Sequence, residues 1–282
     1  MCQPLDALTR FFDHANHLPT LPEVAQRLLA TFGRDDVSLG ELVALIGQDP
    51  ALAARLLRLA NSVRYRPRER ITRLQDAAAM IGLGPLRSMA MGACLAQAFP
   101  LLPGFDRLRF WRQNLATAAY SRWLASTLGL DTDTAEVAGL VLRSGELLML
   151  MVDPGTTALV ESLAGAPDSI FELQRLHFGC SHAELSAELA LRWRFPAAII
   201  DTLYTAADPL AATPFSAAGA VLRAASVMAD AADDGLDPLP SLQALQPALV
   251  LALGLDLVAL GAVGARMPDF ALVAASAGEM LH

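Results

Sequence analysis

The chain has 282 residues, enough for one large domain or two modest ones and for a sizeable apolar core. Apolar residues make up 54% of it and aromatic residues 6%, so Ala, Leu, Val and Met must build the core, which favours helices. The net charge is −8, and this argues against broad attachment to nucleic acid or to an anionic membrane, because both need a positive field.

The cysteines and the N-terminus point to a cytoplasmic protein. Cys2, Cys94 and Cys180 are odd in number and far apart, which gives neither a disulfide framework nor a metal clip. The N-terminus lacks the basic-then-apolar pattern of a signal peptide. The apolar stretch 247–265 is interrupted by Gly254 and by Asp256, so we expect two short helices there, with Asp256 as N-cap, and no membrane span.

Helix start and stop signals recur in the first hundred residues, and alternating strand patterns are nearly absent. The predicted starts are Pro22, the capping box of Ser38 and Glu41, and Asp49 followed by Pro50. Two further helices are expected at Leu74 to Ile81 and at Leu86 to Ala98. Pro100, Pro103 and Gly104 then break the pattern, and we take this as the boundary between two helical lobes.

The second lobe is also predicted to be helical. Long helices are expected from Asp106 to Leu128 and from Thr134 to about Val152, and further capping boxes at Ser169/Glu172 and Ser181/Glu184. The predicted architecture is an all-α, two-lobed helical bundle with lobes 1–103 and 104–234 and a helical tail, 235–282, packed on the domain.

Several strings, in order, resemble the HDOD family of HD-related output domains. Leu18 to Pro22 reads LPTLP, and Gln48 to Ser62 reads QDPALAARLLRLANS, which is similar to the opening of that family. The strings at Ile71 to Arg87, Phe110 to Arg112 and His182 to Pro196 follow the family pattern further. The resemblance covers residues 18–232 and implies that the second lobe has the fold of HD-type metal phosphohydrolases.

The same resemblance locates the metal-ligand positions of those phosphohydrolases, whose chemistry needs His and Asp ligands around a metal that activates water. Five of those positions carry residues that are not the expected ligands, namely Gln113, Leu142, Arg143, Ala206 and Ala207. Asp230 alone remains, and one carboxylate cannot hold a catalytic metal. We therefore predict no catalytic residues, no metal and no cofactor.

Two smaller groups could suggest chemistry but favour structural roles. His177, Cys180 and His182 lack the four ligands of a structural zinc site, and His182 is expected to be buried and hydrogen-bonded near a helix start. Glu184 and Glu188 share a helical face and are expected to be solvated, since no His or Lys completes an acid–base pair.

The most unusual local feature is a run of Arg residues between Arg55 and Arg73. Arg guanidinium groups suit phosphate and carboxylate, so Arg64, Arg66, Arg68 and Arg70 are candidates for binding a partner or an anion. The alternative is a solvated loop whose Arg side chains pair with acids elsewhere. A helix-turn-helix over 39–60 is disfavoured because the second helix is rich in Leu.

The resemblance implies a non-catalytic regulatory or output module of bacterial signal transduction. We expect it to bind a protein partner, such as a receiver, a kinase or a second-messenger protein. Three alternatives stay open: a metal-free pocket for a small effector such as a cyclic dinucleotide, a residual phosphodiesterase, and nucleic-acid binding through the Arg-rich segment.

Overall fold

The computed structural model describes residues 4–14, 19–32, 34, 36–62, 65, 67–100, 102–165, 168–262 and 267–281. Every regular element within these ranges is a helix, and none of their residues lies in a β-strand. The predicted all-α class is therefore confirmed.

The chain forms two compact units, which we call the large unit (residues 1–18 and 116–268) and the small unit (residues 19–115 and 269–282). This division differs from the predicted lobes, because the boundary at residue 115 lies inside a helix and not at the break at residues 100–104. Residues 1–18 belong to the large unit although they precede the small unit in the sequence. Residues 269–282 belong to the small unit although they follow the large unit. Pro and Gly residues indicate where helices end, but they do not indicate which helices pack together. The break at residues 100–104 therefore did not predict the boundary between the units.

The small unit is built around α6, a helix whose own residues are buried on every side. Its helices are α2 (Glu23–Leu29), α3 (Leu39–Ile46), α4 (Pro50–Ala60), α5 (Leu74–Ile81), α6 (Leu83–Ala98), the start of α7 (Arg107–Thr127) and α18 (Phe270–Leu281). Helices α2, α3, α4, α5 and α18 all pack on α6. Leu86, Met91 and Leu95 of α6 are fully buried, so this helix is the core of the unit.

The large unit surrounds α14 in the same way. Its helices are α1 (Pro4–His14), the rest of α7, α8 (Thr132–Val141), α9 (Ser144–Val152), α10 (Pro154–Leu163), α11 (Ser169–Phe178), α12 (His182–Arg192), α13 (Ala197–Ala206), α14 (Ala217–Asp233), α15 (Pro238–Leu245), α16 (Pro247–Leu253) and α17 (Leu257–Ala262). Helices α8, α13, α15 and α16 pack on α14, whose residues Val221 to Ala229 are almost all fully buried.

Most of the predicted caps are confirmed. Ser38 accepts a hydrogen bond from the backbone N–H of Glu41 at 3.1 Å, and Asp49 accepts from Ala51 and Leu52. The reciprocal capping box of Ser181 and Glu184 is also present. Each such cap stabilises its helix by about 1 kcal/mol.

The capping box predicted at Ser169 and Glu172 is wrong. Ser169 is the first residue of α11, and Asp168 occupies the cap position with a φ of 74° and no capping hydrogen bond. The side chain of Asp168 instead forms an ion pair with Arg223 of α14.

The single helix predicted from Thr134 to about Val152 is also wrong, because the chain breaks at Leu142 and Arg143 into α8 and α9. The Ser186 hydroxyl donates to the Leu142 carbonyl oxygen at 2.6 Å and accepts from the Gly145 N–H at 2.8 Å. A side chain of α12 thus replaces helical hydrogen bonds at the break. The apolar pattern continues across it and gives no sign of it.

The C-terminal tail is helical but divided. Helix α16 ends at Gly254, with a φ of 64°, and Asp256 accepts from the Ala259 N–H at 2.9 Å in front of α17, which confirms the predicted pair of short helices. Helices α15 to α17 belong to the large unit and α18 to the small unit. Among the described residues no single helix is long and apolar enough to cross a membrane; α5 and α6 meet that test only as a pair bent by 118°.

Candidate functional site

Arg143 lies at the break between α8 and α9 and is the centre of a buried polar cluster in the large unit. Its side chain is 4% exposed. One guanidinium nitrogen, Nη1, donates to Glu146 Oε1 at 3.0 Å. The other, Nη2, donates to Ser226 Oγ at 3.1 Å and to Asp230 Oδ1, both on α14. The cluster therefore joins the start of α9 to the C-terminal half of α14 through one cation.

The charges of this cluster do not balance, because one guanidinium faces two carboxylates. Burial alone would lower the pKa of Arg143, but the charges of Asp230 and Glu146 raise it overall, so Arg143 stays a cation. Burial raises the pKa of Glu146 to about 7, since the attraction of Arg143 is opposed by the negative charge of Asp230. Burial also raises the pKa of Asp230. Glu146 thus titrates near neutral pH.

His182 lies beside this cluster as the first residue of α12 and is fully buried, as predicted. Gln174 Oε1 lies 2.7 Å from Nδ1 and 2.8 Å from the backbone nitrogen of His182. Burial, followed by the charges of Arg143 and Arg223, lowers the pKa of His182 well below its usual value. The neutral ring therefore donates from Nδ1 to Gln174, and its Nε2 has no hydrogen-bond partner among the described residues.

The neighbouring motif residues form a close-packed frame for the cluster. A Cβ on Gly145 would lie 2.2 Å from the His182 carbonyl oxygen, and one on Gly139 would lie 2.5 Å from the Cα of Ala118. Only glycine allows these approaches of α9 to α12 and of α8 to α7. The glycines thus allow α9 to pack closely on α12 and α8 on α7.

The residues at the predicted ligand positions do not fit a divalent metal. Arg143 and Asp230 are brought together, but the guanidinium takes the carboxylate oxygen that a metal would need. Leu142, Ala206 and Ala207 are buried and offer no side-chain donor atom. Gln113, on α7, belongs to the small unit and not to the unit that contains the other positions. No group of three or more potential metal ligands occurs among the described residues.

A second buried ion pair, which the sequence did not predict, joins Asp168 to Arg223 of α14. Their side chains are 9% and 6% exposed. The Arg223 guanidinium carbon lies 3.4 Å from the centre of the Phe171 ring, and Nη1 donates to the Ala207 carbonyl oxygen at 3.2 Å. The amide of Gln246 donates to the other oxygen of Asp168. Asp168 therefore ties the start of α11 to α14 and α16.

The other candidates from the sequence have local structural roles. Glu184 completes a capping box and is not simply solvated, whereas Glu188 pairs with Arg192 on the surface at 2.9 Å. His177 is exposed and Cys180 is buried, and burial raises the pKa of the Cys180 thiol to about 12.

The Arg-rich segment begins within α4, at Arg55, and Asn61, directly after that helix, contacts Ile71 further along the segment. The Asn61 amide donates to the Ile71 carbonyl oxygen and accepts from the Ile71 N–H, both at 2.8 Å. Arg68 and Arg70 are exposed. Arg64 and Arg66, the other two candidate binding residues, lie outside the described residues. The structure thus places two of the four predicted Arg side chains on the surface.

Solved structures with a similar fold come from several bacteria. A protein of Shewanella amazonensis SB2B named "Putative phosphohydrolase" is 25% identical, with a TM-score of 0.77 over 98% of each chain. A "Putative signal transduction protein" of Marinobacter aquaeolei VT8 is 23% identical, with a TM-score of 0.79 over 99% of this chain and 66% of the other. An HDOD domain protein with unknown function from Geobacter sulfurreducens is 21% identical, with a TM-score of 0.70 over 98% of each chain.

Sequence comparison agrees with the fold. An uncharacterized protein of Treponema pallidum (strain Nichols) is 28% identical over 194 residues, which are 68% of this chain and 38% of that protein. This chain thus spans well under half of that relative's length. The HDOD domain model matches residues 18–209, more than half of the chain and most of the region in which the motifs lie. The chain therefore belongs to the HDOD domain family.

Proposed function

We propose that this protein is a non-catalytic regulatory module of bacterial signal transduction that acts by binding a protein partner. The observation that carries the proposal is the buried contact of Arg143 with Asp230 and Glu146. Metal-dependent phosphoryl hydrolysis needs a cation held by carboxylates and imidazoles, with an open position for water. Here the guanidinium supplies the positive charge itself and, unlike a metal, it cannot activate water.

Family membership supports the signalling part of the proposal. The Marinobacter aquaeolei protein that shares the fold is named for signal transduction, and the Shewanella amazonensis protein is named for phosphohydrolysis. The residues of this chain favour the first role, because Leu142, Ala206 and Ala207 provide no metal ligands.

The test combines elemental analysis of the purified chain with a phosphodiesterase assay and a melting curve, each with and without millimolar MnCl2. We expect no stoichiometric metal, no turnover and no Mn²⁺-dependent change in the melting temperature of the native chain. Turnover that requires Mn²⁺ and is lost in Asp230→Ala would overturn the proposal.

A pair of variants makes the test specific for Arg143. Arg143→Ala leaves two partly buried carboxylates without a counter-ion, so Mn²⁺ should bind them and raise the melting temperature of this variant. Arg192→Ala removes one positive charge from the surface pair with Glu188 and should melt at the same temperature with or without Mn²⁺.

A further inference from the structure

A groove in the large unit is separate from the Arg143 cluster and has the properties of a docking site. It has a volume of about 280 Å³ and lies between the end of α7, α8, the start of α13 and the start of α14. Ala125, Ala135, Ala198 and Ala218 contribute to its lining, so the groove exists because short side chains face each other there. Leu130 and Val221 add apolar surface.

Apart from Asp201, the polar side chains that line the groove form hydrogen bonds within the protein. Thr134 Oγ1 donates to Asp131 at 2.6 Å, and Thr202 Oγ1 donates to the Ala198 carbonyl oxygen at 2.7 Å. Ser216 bonds with Thr205 at 2.9 Å. None of the lining side chains has a buried polar atom without a partner. A nucleotide would therefore meet no free hydrogen-bond donor among the lining side chains, and the Asp131 and Asp201 carboxylates would repel its phosphates.

The charged side chains that line the groove are all acidic. Asp131 and Asp201 are its charged lining residues, and neither Arg nor His lines it. Asp131 caps α8, whereas the Asp201 carboxylate is exposed and has no hydrogen bond or ion pair among the described residues. The whole large unit has the same sign, because residues 1–18 and 116–268 contain 19 acidic residues and eight Arg. The small unit has 13 Arg and ten acidic residues.

Exposed apolar side chains continue from the groove along its edge. Tyr204 follows Asp201 by three residues on α13, which places both on one helix face, and its side chain is 56% exposed. Phe215 directly precedes the groove residue Ser216 and is 42% exposed. The apolar surface thus extends beyond a single pocket.

We propose that this groove binds a basic amphipathic helix of a protein partner, with an apolar side chain inserted between α8, α13 and α14 and an Arg or Lys facing Asp201. The volume is small for a cofactor but fits an anchor side chain, and such buried anchors dominate the affinity of protein interfaces. The negative field of the large unit attracts a basic helix and excludes an acidic one. The inference rests on the proposed function, for which it supplies the chemistry of the partner.

The test uses a fluorescein-labelled helical peptide with Leu at every third or fourth position and Arg between, about 16 residues long because shorter helices are marginal in water. Fluorescence anisotropy with the full chain should give saturable binding that weakens with salt. The same peptide with Glu in place of Arg should not bind. Equal binding of both peptides, or of neither, would overturn the proposal.

Two pairs of variants locate the binding site. Ala198 and Ala197 are adjacent and exposed on α13, but only Ala198 lines the groove. Ala198→Leu fills the groove and should weaken peptide binding at least about tenfold, whereas Ala197→Leu should leave it within about twofold. Asp201→Lys should also weaken binding about tenfold, and Asp13→Lys, with the same change of net charge on α1, should not.

Other occupants of the groove give different results. Self-association in sedimentation velocity that is lost in Ala198→Leu would show that a second copy covers the groove and would overturn the proposal, as would binding unchanged in Ala198→Leu and Asp201→Lys. The proposed function and the binding site are tested separately. Mn²⁺-dependent turnover together with intact peptide binding would refute the non-catalytic role but not the binding site in the groove. Absence of both turnover and peptide binding would refute only the binding site.

Discussion

Gly145 of α9 packs so closely on His182 of α12 that a Cβ at position 145 would lie 2.2 Å from the His182 carbonyl oxygen. The same turn of α9 donates its Gly145 N–H to the Ser186 hydroxyl. Residues of two separate family motifs thus meet at one contact and fix α9 against α12. The position of Arg143, two residues before Gly145, depends on this contact.

Gly145→Ala should therefore destabilise the protein. The added methyl group meets backbone atoms and not a flexible side chain, so α9 or α12 must shift, and overpacking of this kind costs about 1–3 kcal/mol. The free energy of unfolding from urea denaturation measures the effect. Gly278→Ala in α18 is the control: a Cβ there meets nothing within 4 Å, and alanine is the better helix former by up to about 1 kcal/mol. Equal stability of Gly145→Ala and the native chain would contradict the close contact.

The raised pKa of Glu146 predicts a decrease in stability with rising pH. Its pKa is about 7 in the folded chain, against an ordinary value of 4.5, so the folded state holds this proton more tightly than the unfolded state. The stabilisation is complete below about pH 4.5 and is lost as the pH rises through 7. We expect the free energy of unfolding to fall by about 1–3 kcal/mol between pH 5 and 8 for this reason.

Glu146→Gln isolates this contribution. The variant cannot titrate at position 146, so its free energy of unfolding should fall less than that of the native chain over the same pH range. Urea denaturation at several pH values compares the two slopes, and groups common to both proteins cancel in the difference. Parallel slopes would show that Glu146 is already ionised at pH 5.

The helix starts could be predicted from the sequence because caps act locally. Ser38 and Asp49 bond to backbone groups two or three residues away, and such short-range signals are visible in the residue order. The break at Leu142 was not predictable in this way, since it depends on the hydroxyl of Ser186, 44 residues further on. The unit boundary within α7 was missed for a similar reason, because the helix runs through it without interruption.

The candidate site was predictable only in part. The family strings point to Arg143 and Asp230 as former ligand positions, and the structure shows that their side chains meet. Ser226 and Glu146 were missed, although Glu146 lies in the first turn of α9, three residues after Arg143. The pair of Asp168 and Arg223 has no local signal, because it links residues 55 positions apart whose burial follows from the packing of α11, α14 and α16.

The ion pair of Asp168 and Arg223 should contribute more to stability than a surface pair. Asp168→Asn keeps a residue that tolerates positive φ but removes the charge, and it leaves Arg223 buried without a counter-ion. Breaking a buried pair in this way costs about 3–5 kcal/mol. Arg223→Met should have an effect of similar size, and the double variant should lose much less than the sum of the two.

Urea denaturation of the two single variants and the double variant gives the coupling energy of this pair. The surface pair of Arg192 and Glu188, whose side chains are 45% and 29% exposed, is the reference and should give about 0.2–1 kcal/mol. A coupling energy for Asp168 and Arg223 no larger than this reference would mean that Gln246 and the Phe171 ring hold these residues without help from the charges.

We expect the exposed Arg68 and Arg70 to bind a partner or an anion and to contribute little to the stability of the fold. The double reversal Arg68→Glu, Arg70→Glu should change the free energy of unfolding by no more than about 0.5 kcal/mol, because both side chains are exposed and neither has an ion pair with the described residues. Arg34→Glu is the contrasting control, since it replaces a contact with Asp36 and Glu41 by like-charge repulsion.

The double reversal of Arg68 and Arg70 also tests whether the Arg-rich segment binds nucleic acid. We expect no binding of a labelled DNA duplex at physiological salt, because the chain carries a net charge of −8. Binding that weakens steeply with salt and is lost in the double reversal would instead make the Arg-rich segment a nucleic-acid site.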